Sequence, residues 1–225
     1  MKKAEFEQLN SYMQSCMKDS AHDREHIYRV LYAALDIAET EEQVDYDILI
    51  AACLLHDIGR QAQIENPKLC HAEVGAEAAK SYLLSCGYEP DFAEHVAECI
   101  RCHRFRKEQP PQSIEAKILF DADKLDVTGA MGVARTLLYG GRLSRPLYSL
   151  LADGTVSDGT DDQTSSFFQE YKFKLERLYD RFFTKRGKEL ASQRQHAARD
   201  FYLSLLSEVN DAYNNKDTLS SILET

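Results

Sequence analysis

The sequence predicts an all-α protein, a helical bundle extended by a helical pair toward its C-terminus. Three observations carry that expectation. Apolar residues recur at three- and four-residue spacing along nearly the whole chain, strand-like alternation is scarce, and glycine and proline fall between the periodic segments rather than inside them. The chain has 225 residues, enough to bury one full core without disulfide or metal staples. A single domain over residues 1–225 is expected.

Taken in order, residues 4–18 read as a first helix. Residues 22–39 read as a second, with Ile27, Val30, Ala34 and Ile37 as its inward stripe. Residues 45–57 form a third, short and apolar on most sides, hence central. The stretch "HAEVGAEAAKSYLLSCG" is a fourth, stopped by Gly87, and Pro90 opens the next. After "QPPQ", Ser113 is a plausible N-cap for one long helix through "IEAKILFDADKLDVTGAMGVARTLLYG". Residues 140–165 change character: rich in Gly, Ser and Asp, they read as an ordered loop or a lid. Two helices then span 166–183 and 186–213. Their aromatic residues (Phe167, Phe168, Tyr171, Phe173, Tyr179, Phe182, Phe183) read as packing. Lys174, Arg177, Lys185, Arg186 and Lys188 read as a solvated face.

Composition excludes several function classes. Lys and Arg number 27 against 37 Asp and Glu, a net charge of −10. That disfavours salt-driven adhesion to a nucleic-acid chain or an anionic membrane. A small phosphorylated substrate needs only a local cluster of cations, and Arg101, His103, Arg104, Arg106 and Lys107 supply one. No window approaches the roughly 18 apolar residues of a membrane span. The start "MKKAEFEQLNSY" has no apolar signal core, so a cytoplasmic location is expected. The six cysteines then read as reduced thiols. "CIRCH", residues 99–103, matches the c-type haem attachment spacing. It also lies within a helical pattern, where Cys99 and Cys102 are ordinary i, i+3 neighbours. No glycine-rich phosphate loop of the P-loop type is present.

The chemistry concentrates in polar residues placed where the pattern expects apolar ones. "CLLHDIGR" delivers His56 and Asp57 into a buried position at the end of a core helix. Two such groups cost several kcal/mol unless something satisfies them, by about the margin for buried unpaired polar groups. In "AHDREHIYRV", His22 and His26 share one helix face. His26 lies with Val30 and Ala33 on the inward side, and His22 lies nearer solvent among Lys18, Asp19 and Glu25. His71 begins the fourth helix, His103 ends the fifth, and the long helix carries Asp121, Asp123 and Asp126. Singly, each has an ordinary reading as a core hydrogen bond, a cap or a dipole contact. Together, four imidazoles and a buried carboxylate would each need a separate account, and a metal site supplies one for all.

In order, "HIYRV", "LLHDIG", "HAEVGAE", "IRCH" and "DADKLD" resemble the HD-domain metal-dependent phosphohydrolases. More narrowly they resemble the small single-domain bacterial HD hydrolases that include nucleoside-triphosphate pyrophosphohydrolases. The motif run covers residues 22 to about 136, and "TKRGKELASQR" is similar to that subgroup's tail. The resemblance places the metal ligands on His26, His56, Asp57 and Asp123. It places residues for a second metal or for substrate phosphate on His71 and His103. Binuclear subgroups carry paired histidines where this chain has Cys102 and His103, so one tightly held ion is expected, with His71 and His103 facing the substrate.

Two imidazoles and two carboxylates suit Mn²⁺ first, and also Mg²⁺, Fe²⁺ or Co²⁺. Asp57, His71 and His103 are the catalytic candidates, and Arg104 and Lys124 the candidates for holding phosphate. The implied activity is hydrolysis of a (deoxy)nucleoside triphosphate to monophosphate and pyrophosphate by a water that the ion activates. The alternatives are a phosphodiesterase or phosphatase of a signalling or monophosphate nucleotide, and a non-catalytic metal- or nucleotide-binding sensor.

"DADKLD" leaves a choice. Residues two apart on a helix point about 200° away from each other. Asp123 neighbours Leu119, Phe120, Asp126 and Val127, a mostly apolar side. Asp121 neighbours Lys117, Ile118, Lys124 and Leu125, a wetter side where it can pair with lysine. Asp123 is therefore the expected ligand.

Overall fold

The computed structural model describes residues 1–17, 24–104 and 110–223. Among the described residues no strand forms, and a single antiparallel bridge joins Leu150 to Val156. No helix among them is long and apolar enough to cross a membrane. The chain divides into two compact units, Met1–Asp126 with Phe182–Lys188, and Val127–Arg181 with Glu189–Thr225.

The first unit holds α1 (Lys3–Cys16), α2 (Arg24–Ala38), α3 (Tyr46–Leu55), α4 (Arg60–Glu65), α5 (His71–Ser85), α6 (Pro90–Cys102) and α7 (Ile114–Leu125). Helix α3 is its axis, packed by α1, α2, α6 and α7. Leu49, Ala51, Ala52, Cys53, Leu54 and Leu55 are all fully buried, which explains an apolar run that no single helix face could absorb. The Asp45 carboxylate starts α3 by accepting from the Asp47 and Ile48 N–H groups. On α2 the expected stripe of Ile27, Val30, Ala34 and Ile37 is buried. Gly87, at φ +85°, ends α5, with Tyr88 N–H bonded to Leu83 O and Gly87 N–H to Leu84 O. Pro90 is at the first turn of α6, and the Ser113 hydroxyl caps α7 by accepting from Ala116 N–H.

The long helix expected after Ser113 is two. Helix α7 stops at Leu125, and α8 (Gly129–Arg142) starts after Thr128. Gly129 stands at φ +58°, a left-handed backbone that a continuing helix does not allow. The second unit continues with α9 (Phe167–Glu170), a π turn over Tyr171–Leu175, α10 (Lys185–Tyr213) and α11 (Lys216–Leu223). The helix expected over 166–183 is thus shorter, because the Glu176 N–H bonds to Tyr171 O, five residues back, and successive tight turns follow.

Phe167, Phe168 and Tyr171 pack with Val133, Leu175, Ala198 and Tyr202, as their spacing suggests. Phe173, by contrast, is exposed. In the first unit Phe183 meets Phe120 edge-on, and Arg186, read as solvated, forms a two-pronged ion pair with Asp36. The glycine-rich stretch after α8 carries hydrogen bonds at several points. Ser157 N–H bonds Ser149 O, Phe167 N–H bonds Pro146 O, and the Tyr202 hydroxyl bonds Asp158 O.

Candidate metal centre

Helix α3 ends one residue before His56, and the chain turns at once through Asp57, Ile58 and Gly59. Gly59 answers a question of space. A Cβ there would lie 2.2 Å from His71 O and 2.6 Å from Gly75 N. The turn therefore touches the backbone of α5 directly, and Gly75 on α5 leaves the matching gap. That contact brings His71, the first residue of α5, against Asp57.

Asp57 is the hub. Its Oδ2 lies 3.6 Å from His26 Nε2 and 3.8 Å from His56 Nε2. Its Oδ1 lies 3.4 Å from His71 Nε2 and 3.7 Å from His103 Nε2. Asp123 joins the first side, with Oδ1 3.5 Å from His26 Nε2. Two groups can each hold a cation: His26, His56 and Asp123, and Asp57, His71 and His103, the ligand atoms of each lying within 4.8 Å of one another. All but Asp123 are at most 1% exposed. Neither Asp57 oxygen receives a well-formed hydrogen bond, although Arg60 Nε lies 3.0 Å from Oδ1. A buried carboxylate with both oxygens unbonded, ringed by imidazole nitrogens, is the donor set of a divalent-cation site.

The imidazoles are oriented for that role. His56 Nδ1 donates to Cys53 O at 2.8 Å and His103 Nδ1 to Ile100 O at 2.6 Å. His26 Nδ1 donates to Asp126 Oδ2 at 2.7 Å, and His71 Nδ1 faces Gln63 Oε1 at 2.6 Å. In each case the outer nitrogen is engaged and Nε2 is turned toward the centre, the usual arrangement of metal-ligating histidines. The inward nitrogens meet in pairs, His26 with His56 and His71 with His103, each pair 3.4 Å apart. Where both rings of a pair are neutral and protonated on Nδ1, a cation between the two lone pairs satisfies both.

Electrostatics separates the rings. Burial works to lower the His26 pKa, but the hydrogen bond to Asp126 and the nearby carboxylates of Asp57 and Asp123 carry it up to about 9. Burial holds His71 down to about 2 and His103 to about 3, helped by Arg60 and by His56 respectively. His56 is lowered for the same first reason. Burial pushes Asp57 up, but His56 and Arg60 outweigh it and hold the carboxyl well below the usual range. Asp123 is likewise lowered, burial being outweighed by Lys124 and His26. At neutral pH, His71 and His103 are neutral rings, suited to ligation or hydrogen bonding rather than to acting as point charges.

The three carboxylates of "DADKLD" have three different surroundings. Asp123 faces the histidines. Asp126, three residues on and so on the same face, accepts from His26 and is gripped by Arg29, whose Nε lies 2.6 Å from Oδ1 and Nη2 3.1 Å from Oδ2. Asp121 does not sit on a wet face. It is fully buried and accepts from Phe183 N–H, Thr184 N–H and the Thr184 hydroxyl. The segment leading into α10 covers the side of α7 that α7's own sequence makes look exposed, and no lysine is needed.

The cationic cluster is also reduced. Arg101 is taken up by Glu73, Glu77 and Glu94 on the outer faces of α5 and α6. Arg104 Nη1 lies 3.1 Å from His71 Nδ1. Lys124 Nζ bonds Asp123 Oδ2 at 2.9 Å while lying over the Phe120 ring. His22, Arg106 and Lys107 lie outside the described residues. Sequence reasoning missed Gln63 and Gly75, and it named Asp126 without its role of holding the His26 ring. That role was findable, Asp126 standing three residues after Asp123 as Arg29 stands three after His26.

A family model described as the HD domain matches residues 24–128, the span that carries every residue of this centre. The chain is 30% identical over 209 residues to the uncharacterized protein YpgQ of Bacillus subtilis, covering 90% of this chain and 93% of that one. This chain belongs to the HD-domain hydrolase superfamily. Solved structures agree in fold. A crystal structure of Bacillus subtilis YpgQ in complex with ADP superposes with TM-score 0.70 at 28% identity, over 91% of this chain and 97% of that one. An HD-superfamily hydrolase from Bacillus thuringiensis gives TM-score 0.70 at 28% identity, over 93% and 99%. A predicted HD-superfamily hydrolase from an uncultured Thermotogales bacterium gives 0.61 at 29%, over 90% and 91%.

Proposed function

We propose that this HD hydrolase cleaves a phosphate anhydride of a nucleotide, splitting a (deoxy)nucleoside triphosphate into monophosphate and pyrophosphate. The observation that carries the reading is Asp57, buried between two groups of cation ligands with neither carboxylate oxygen hydrogen-bonded. The ADP held by YpgQ supports a nucleotide as the ligand class. His26, His56, Asp57 and Asp123 would hold a divalent ion, Mn²⁺ in the first instance, with Mg²⁺, Fe²⁺ or Co²⁺ as chemical equivalents. When bound, that ion supplies Lewis-acid activation of water and neutralises charge on the phosphoryl oxygens.

The chain's own residues do the rest. Arg29 fixes Asp126, Asp126 fixes the His26 ring, and the two backbone carbonyls fix His56 and His103, so the centre needs little reorganisation during reaction. Asp57, ionised at neutral pH, presents acceptor oxygens to both groups at once and can take a proton from an attacking water on Oδ1. Neutral His71 and His103 present nitrogen to the same side. Arg104 and Lys124, at the edge of the centre, contribute positive charge for phosphate oxygens; Lys124 would exchange its contact with Asp123 for one with substrate. The test is a panel of nucleotides incubated with Mn²⁺-loaded protein, with products resolved by chromatography. Monophosphate and pyrophosphate are expected from a triphosphate. Inorganic phosphate as the sole initial product would indicate a phosphatase, and no turnover with bound nucleotide a sensor.

A further inference from the structure

His71 Nδ1 stands between two partners that need opposite forms of the ring. Gln63 Oε1, at 2.6 Å, can only accept a proton from Nδ1, whereas Arg104 Nη1, at 3.1 Å, can only donate one to it. A neutral imidazole carries one N–H, so one of these bonds excludes the other. The choice crosses the ring. With Nδ1–H on Gln63, Nε2 turns a lone pair toward Asp57 Oδ1 and His103 Nε2, each 3.4 Å away. With Arg104 on Nδ1, Nε2 carries the proton and points an N–H at those same two atoms. His103 has no such choice, because its Nδ1 is committed to Ile100 O.

We infer that Gln63 and Arg104 select the tautomer of His71, the Gln63 form when Asp57, His71 and His103 hold a cation and the Arg104 form when they do not. The inference rests on the reading of this centre as a divalent-cation site, extended to its second ligand group, Asp57, His71 and His103, beside the ion that His26, His56, Asp57 and Asp123 would hold. Without a cation the Gln63 form sets two lone pairs against each other and leaves Asp57 Oδ1 without a donor. The Arg104 form gives that oxygen, or His103, an N–H. With a cation the lone pair is required, and the proton that leaves Nε2 for solvent is replaced by one at Nδ1, facing Gln63. The ring is neutral throughout. Gln63 and Arg104 are thus positioning residues with opposite effects on cation loading.

The experiment uses the full chain with ¹⁵N-labelled histidine and Mg²⁺ as a diamagnetic probe, with His71 assigned through His71→Gln. Long-range ¹H–¹⁵N correlation should place the protonated nitrogen at Nε2 without Mg²⁺ and at Nδ1 with it. Gln63→Glu, which can only accept, should hold Nδ1–H in both states. By calorimetry with Mn²⁺, Gln63→Met should weaken loading about ten- to a hundredfold, the range for lost outer partners of metal ligands. Arg104→Met should strengthen it. A loss of affinity in both variants, or the same His71 tautomer with and without Mg²⁺ while His26 and His56 respond, overturns the selector alone. No response at any of the three rings, together with no heat from Mn²⁺, overturns the cation reading beneath it. Nucleotide turnover enters neither measurement.

Discussion

At pH 7 the His26 ring keeps a proton that a divalent ion must displace, since its pKa stands at about 9 against an ordinary 6.5. Loading should therefore release close to one proton per chain, and apparent Mn²⁺ affinity should rise up to about tenfold per pH unit from 7 to 9, then level off. Titration calorimetry in buffers of different ionisation enthalpy reads both. The stability of the metal-free chain should move the other way. A raised folded-state pKa contributes stability in full below about 6.5 and loses it as pH rises through 9. Its melting temperature should fall across that window, and a flat profile would contradict the Asp126–His26 pairing. The two aspartates of "DAD" separate equally cleanly. Asp123→Ala should lose metal and activity. Asp121→Ala should keep the metal and lose about 1–3 kcal/mol of stability, because the N–H and hydroxyl donors of Phe183 and Thr184 are left buried without an acceptor. Metal analysis and chemical denaturation on both variants check this.

At the scale of elements, the centre depends on how closely α5 approaches the turn after α3. Gly59→Ala forces a Cβ against the His71 carbonyl and the Gly75 backbone, neither of which can give way as a side chain tip can. A cost of about 1–3 kcal/mol is expected, with displaced His71 and reduced metal affinity. Gly141→Ala, on α8 with nothing near its Cβ, should be neutral or slightly stabilising. Denaturation midpoints of the two variants make the comparison.

The legibility of the sequence follows the same division. The inward stripe of α2, the apolar α3, the cap at Ser113 and the stop at Gly87 are local in origin, written in periodicity and terminal residues, and so were readable. Asp121's burial was not, because residues 183 and 184, some sixty positions away, provide it. The break before α8 depends on one left-handed glycine, and the shortening after Phe167 on a widened π turn. Neither has a periodicity signal. Of the centre, His26, His56, Asp57 and Asp123 stood out as polar residues in apolar settings. Gln63 lies on a half-exposed helix whose pattern looks like ordinary surface.

For the whole molecule, the HD match over 24–128 and the residues around Asp57 concern the same part of the chain, and the acidic balance of the whole chain argues for a small substrate held locally. His56→Ala should abolish Mn²⁺ binding and hydrolysis together, since it removes a ligand and leaves Asp57 buried with less compensation; full metal occupancy in that variant would remove His56 from the centre. The central claim is that water attacks the α-phosphorus of a nucleoside triphosphate. It is tested most directly by turnover in ¹⁸O-water with Mn²⁺-loaded protein, followed by mass spectrometry of the products. The account predicts one ¹⁸O in the nucleoside monophosphate and none in pyrophosphate. Label in pyrophosphate, or inorganic phosphate as the sole initial product, would contradict it.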